Sequence, residues 1–237
     1  MNEPPGWGTD KLSEFLLLAH SNTLATFANL KTEFNRLRDI DGAFRKLLEN
    51  LHNLREPMEA AASFLCFRAH ACFLGATRLS LAGQPYESAA VCRAGLESAL
   101  YGLYVARTPG AATVWLNRST DPQRMKAMFT AGAVLDFLES TDAKLGGPTR
   151  ALYEALIEFG AHPNPTGVLG SAEMKRSPEG IELNTMYLCG DSLPLRLGIK
   201  FAAQTGLGSL GIACLIYSSR AEILGVRDEL GHLAAGL

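Results

Sequence analysis

The chain has 237 residues, 47% hydrophobic and 19% charged, proportions that fit a soluble globular protein with length enough for a substantial core. Its 22 basic residues are outnumbered by 24 acidic ones, and a net charge of −2 provides no global positive field to gather nucleic acid. Five cysteines stand apart with no CxxC pair, a pattern that excludes zinc spacing and reads as reduced thiols in the cytoplasm.

The opening "MNEPPGWGTDKLSEF" holds acids and prolines where a secretory signal would hold a basic patch and an apolar run. From Asp10 to about Leu30 apolar residues recur at helical spacing, with Leu12, Phe15, Leu16 and Ala19 as a stripe. Residues 31 to 56 continue that pattern through Phe34, Leu37, Phe44, Leu47, Leu48 and Leu51. Pro57 marks a helix start, since its missing N–H costs little in a first turn. The segment after it, "MEAAASFLCFRAHACFLGATRLSLAG", is apolar on most faces, as a central bundle helix would be. Gly83 ends that helix and Pro85 begins the next.

In "PYESAAVCRAGLESALYGLYVAR", Arg93 and Glu97 lie four residues apart and so share a face. Their neighbours are mostly apolar, so the pair is expected either partly under cover, where each charge needs the other, or at the surface on the helix's thin polar stripe. Tyr101, four residues on from Glu97, is placed to cap the polar stripe. A short helix is expected near Val114 to Asn117, and an Asp–Pro start signal opens another at "DPQRMKAMFTAGAVLDFLEST". The helix in "GGPTRALYEALIEFG" is expected to begin at Pro148 and to end at Gly160, a residue suited to a left-handed cap. Its apolar side is Leu152, Leu156 and Phe159, and Arg150, Glu154 and Glu158 form a solvated ladder.

"SAEMKRSPEGIELNTMYL" then alternates around a Pro–Glu–Gly turn and predicts a hairpin. Helices at roughly 192–217 and 219–234 finish the chain. The first is the nearest approach to a membrane span, but Lys200, Gln204 and four glycines interrupt it, and a buried core helix is the better reading. Its "TGLGSLG" has no P-loop lysine and follows no strand, so its glycines point to close helix packing. The fold class expected is all-α: a helical bundle with one small β-hairpin near residues 171–188. A single domain spans 1–237, with the hairpin insertion at 166–190 and the closing helices at 192–236.

Chemistry concentrates in "GAHPNP". His162 precedes Pro163, so its backbone is pushed toward the extended region and its side chain leaves the preceding helix at its C-terminal end. The partial negative charge there favours imidazolium, which suits a proton carrier near neutral pH. The alternative is that His162 and Asn164 hydrogen-bond loop carbonyls and lock a stiff turn, the commoner use of a single histidine.

"CRAGLESALYGLYV" on one long helix and "LYEALIEFGAHPNP" at the end of another resemble a group of uncharacterised bacterial helical proteins related to the HEPN superfamily. That likeness covers roughly residues 60 to 165 and carries over Arg93, Glu97, His162 and Pro163. It implies a helical fold, a homodimer, and a binding or regulatory role in a bacterial defence or toxin–antitoxin setting. RNA or protein is the partner class it implies. Active members of the superfamily are metal-independent ribonucleases with an arginine four to six residues before the histidine. Here positions 156 to 158 are Leu156, Ile157 and Glu158, and the nearest upstream arginine is Arg150. A ribonuclease built on this chain therefore needs Arg93 as its cation, Glu97 to orient Arg93 and His162 to carry the proton.

Among the other histidines, His70 in "FRAHACF" reads as a core or groove residue able to approach Arg93 or His162. No histidine has a second ligand type at metal spacing, so neither metal nor cofactor is expected, nor a membrane partner.

Overall fold

The computed structural model describes residues 4–54, 57–163, 165–178 and 180–236, the side chains of Thr166 and Glu173 excepted. It is mainly helical, with one two-stranded antiparallel sheet among the described residues. Three long helices form the centre: α3 (Pro57–Leu81), α4 (Pro85–Arg107) and α10 (Leu193–Ile216), with α3 against α4 and α10 packed along both. Leu96, Leu100, Leu103, Phe73, Ile199 and Leu210 are fully buried between them. The glycines of α10 serve this packing. A Cβ on Gly206 would come within 2.7 Å of Phe73 and 2.8 Å of Ile40. By length and composition α3 and α10 could each cross a membrane, yet most of each apolar window is buried against other helices. All five cysteines are buried free thiols.

Two helices precede this centre, α1 (Lys11–Asn29) and α2 (Lys31–Leu48). Asp10 caps α1 by accepting from the backbone amides of Leu12 and Ser13. The apolar stripe read in α1 is only half covered: Phe15 and Ala19 are half-buried, but Leu12 is 68% exposed and Leu16 is exposed as well. Phe27 meets Phe34 of α2 edge-on at 4.7 Å, and two hydrogen bonds tie the helix to the end of α3. Thr26 Oγ1 donates to the Leu81 carbonyl at 3.0 Å, and Asn22 Nδ2 to the Ala82 carbonyl at 3.2 Å. Helix α2 behaves as its pattern predicts and buries Leu37, Ile40, Phe44, Leu47 and Leu48.

After α4 come α5 (Ala111–Leu116), α6 (Pro122–Met128), α7 (Ala131–Thr141) and α8 (Ala143–Leu156). The segment read as one helix from Asp121 is thus two, because Thr130 caps α7 by accepting from the amide of Ala133. Helix α8 starts five residues before Pro148, where Asp142 accepts from the amide of Leu145 at 3.1 Å. Pro148 therefore sits inside the helix.

A π-helical turn, Ile157–Ala161, ends α8, and the short α9 (Pro165–Leu169) follows. Strands β1 (Ala172–Ser177) and β2 (Gly180–Thr185) form the expected hairpin, with Met174 opposite Leu183; Glu179 at its tip lies outside the described residues. The chain returns to the bundle where the Cys189 amide donates to the Gly83 carbonyl at 2.8 Å. The last helical stretch is split at Gly225, left-handed with φ 68°, into α11 (Ser218–Ile223) and α12 (Val226–Leu233).

Candidate functional site

Arg93 and Glu97 lie on the face of α4 that meets the end of α8 and the π-turn. Helix α8 presents Leu152, Tyr153 and Leu156 inward, and the phenol ring of Tyr153 is buried beneath the Arg93 guanidinium, whose Cζ stands 5.2 Å from the ring centroid. Arg93 Nε donates to Glu97 Oε1 at 3.0 Å and to the Tyr153 hydroxyl at 3.1 Å. The hydroxyl in turn donates to the same Glu97 oxygen at 2.7 Å. On its other side the guanidinium meets His162: Arg93 Nη1 is hydrogen-bonded to His162 Nε2. Since a guanidinium only donates, His162 Nε2 is the accepting atom in this bond.

Burial is graded across the group. Tyr153 is 5% exposed, the Arg93 and Glu97 side chains are 24% and 35% exposed, and His162 is open to solvent. Partial burial works against the charge of Arg93, but Tyr153 and Glu97 outweigh it and raise its pKa. Burial first, and the Glu97 carboxylate second, push the Tyr153 phenol up to about 12. Tyr153 is therefore a protonated donor at neutral pH and not a base.

The seat of His162 is built from glycine and aromatic residues. Its own backbone is extended, φ −131° and ψ 151°, as its position before Pro163 predicts. Gly160 differs from expectation, because at φ 163° it is not a left-handed cap. What it provides is close approach: a Cβ there would lie 2.9 Å from the Tyr86 carbonyl oxygen and 3.2 Å from Tyr86 Cα. A Cβ on Gly167 of α9 would in turn lie 2.9 Å from Gly160 Cα. The Tyr86 ring stacks on Phe159 at 4.9 Å, and Phe201 of α10 meets Phe159 edge-on at 5.1 Å.

Of the residues singled out in the sequence, Arg93, Glu97 and His162 come together. His70 does not join them. Its Nε2 lies 2.7 Å from Asp41 Oδ1, its ring stacks on Phe44, and Asp41 also accepts from Arg45 at 2.8 Å. That cluster ties α2 to α3. Burial opposes the charge of Asp41, yet the bonds from Arg45 and His70 prevail and lower its pKa. Tyr101 is likewise structural, with its hydroxyl donating to the Phe129 carbonyl at 2.7 Å. Asn164 lies outside the described residues.

Arg150, the nearest arginine before the histidine, is bound to Glu139 at 2.7 Å and to Asp136 at 2.6 Å, which engages it away from His162. Tyr153 went unread in the sequence. The available signal was a tyrosine next to Leu152 on the buried stripe, whose hydroxyl had to find a polar partner. Among the described residues no group of three His, Cys, Asp or Glu side chains converges to hold a metal ion. What the site offers is one fixed cation beside one nitrogen base at the surface. Comparison with family models, curated proteins and solved structures finds no match to this chain.

Proposed function

We propose that this protein cleaves RNA without a metal ion, using His162 and Arg93 at the junction of α4 and the π-turn. The observation that carries this reading is the direct contact of an arginine and an exposed histidine that are 69 positions apart in sequence. Glu97 and Tyr153 hold the Nε side of the guanidinium and leave its Nη side for a ligand. An incoming phosphodiester would replace His162 as the partner of Nη1. That exchange frees the His162 Nε2 lone pair beside the bound phosphate.

In the reaction His162 takes the proton of a ribose 2′-hydroxyl, the 2′-oxygen bonds to phosphorus, and the bond to the 5′-oxygen breaks. Solvent protonates the leaving oxygen, and the products are a 2′,3′-cyclic phosphate and a 5′-hydroxyl. Arg93 offsets the charge that builds on the non-bridging oxygens. End-labelled single-stranded RNA incubated with the chain in EDTA tests this. His162→Ala should slow cleavage by about 10²–10⁴-fold, the range for a lost general base. Equal cleavage by both proteins removes His162 from the mechanism.

A second reading is a non-catalytic binding or regulatory protein of a bacterial defence or toxin–antitoxin system. It is favoured by the Glu97 carboxylate, which already offsets the Arg93 charge, and by the engagement of Arg150 elsewhere. Under it the chain would bind RNA or a protein partner with no strand scission. The resemblance adds a homodimer to either reading and the unpaired cysteines a cytoplasmic setting, and light scattering would check the mass.

A further inference from the structure

A separate cavity of about 580 Å³ opens between α8, α10 and the end of α12, within the range of about 300–1,000 Å³ usual for small-molecule sites. It runs along two helices that lie side by side in opposite directions, since Leu145 meets Gly211 and Phe159 meets Phe201. From Lys144 to Ala155, its limits on α8, the wall is about 16 Å long at the rise of a helix. Leu145 closes one end over Gly211, where a Cβ would lie only 3.1 Å away, and Leu230 stands beside it. Leu152 and Leu207 contribute buried apolar surface to the lining.

The polar part of the lining is sparse. Thr149 is committed, its hydroxyl donating to the Leu145 carbonyl at 2.7 Å. Lys144 is the one ionisable residue in the lining, and among the described residues it has no ion-pair partner. The Gln204 carboxamide likewise has no hydrogen-bond partner among the described residues. An elongated apolar trough with a cation at one end and no acid along it is complementary to one class of ligand.

We infer that this trough binds an unbranched carboxylate amphiphile, the chain lying between α8 and α10 and the carboxylate meeting Lys144. The ammonium supplies the charge-assisted bond, and the leucines and Phe201 remove the chain from water. This site is independent of Arg93 and His162, and its test does not use RNA.

The probe is dodecanoate below its micellar concentration, titrated into the full chain by calorimetry. Dodecyltrimethylammonium and butanoate are the charge and length controls. Dodecanoate should bind one to one and raise the melting temperature, with both controls at least tenfold weaker. Lys144→Gln should weaken dodecanoate at least tenfold. Ala151→Trp, at an exposed position on the rim, should abolish binding while the free protein melts as the parent does. The inference is overturned by absence of dodecanoate binding, by equal affinity for the cationic amphiphile, or by binding that survives Ala151→Trp. A dimer that Ala151→Trp dissociates also overturns it, because a second copy of the chain would then be the occupant.

Discussion

Gly160→Ala tests the seat of His162 most directly. The added Cβ would stand 2.9 Å from the Tyr86 carbonyl oxygen and 3.2 Å from Tyr86 Cα, where ordinary contact begins at 3.4 Å. Both obstacles are backbone, so no side chain can rotate away. The π-turn must retreat from α4 by about 0.5 Å, which equals the roughly 0.5 Å tolerance of a working site. Overpacking of this kind costs about 1–3 kcal/mol of stability. Since a 1 Å misplacement can cost about 10²-fold in rate, the retreat should slow cleavage by about tenfold. Urea unfolding and single-turnover RNA cleavage measure the two effects. Gly42→Ala is the control, as it lies within α2 with nothing inside 4 Å of its Cβ position, and it should gain up to about 1 kcal/mol. A Gly160→Ala midpoint equal to the parent's refutes the packing argument. A lowered midpoint with undiminished cleavage refutes the claim that the seat positions His162.

Tyr153→Phe removes the hydroxyl shared by Glu97 and Arg93. Bonds to charged groups are worth about 1.5–3 kcal/mol, and partial exposure of both partners places the loss near the lower figure, readable as a reduced urea midpoint. An unchanged midpoint would mean that water replaces the hydroxyl without loss. Burial pushes the Cys66 thiol up to about 12 and the Cys92 and Cys214 thiols to about 11, from an ordinary 9.0. Because the folded values are raised, this stability is complete below the unfolded thiol pKa and is lost as pH climbs from about 9 toward about 12. Each thiol then contributes a slope of up to about 1.4 kcal/mol per pH unit. Urea midpoints should fall between pH 9 and 11, less steeply in Cys66→Ala, and equal slopes in the two proteins would contradict the assignment.

The elements most legible in the sequence were those marked by residues with one local meaning. Pro57 and Pro85 start α3 and α4, and the alternation around the Pro–Glu–Gly turn became β1 and β2. Arg93 and His162 were singled out separately, but their contact depends on how α8 lies against α4, which no local pattern encodes. The misreadings share a cause. Leu12 and Leu16 belong to the stripe read in α1 yet are exposed, because spacing identifies a stripe but not the side on which the protein lies. Pro148 was taken for a helix start because that is its usual place, whereas the Asp142 cap starts the helix five residues earlier. Gly160 was given a dihedral role when its role is steric.

The order of burial within the Arg93 group bears on what the group is for. If it served only to join α4 to α8, an apolar cluster would do as well, since charges taken from water seldom repay their desolvation. Here the cost falls on residues that hold others still. Tyr153 is the most enclosed and fixes Arg93 and Glu97, which are half covered, and the outermost member, His162, is open to solvent. A structural clasp would be expected to bury its histidine and leave its longest side chain outside. The Asp41–His70 pair between α2 and α3 follows that pattern, with the His70 side chain 12% exposed and Arg45 outside it. One chain thus contains both arrangements, a mostly covered histidine that fastens α2 to α3 and an exposed one beside Arg93, and the proposed cleavage rests on that contrast.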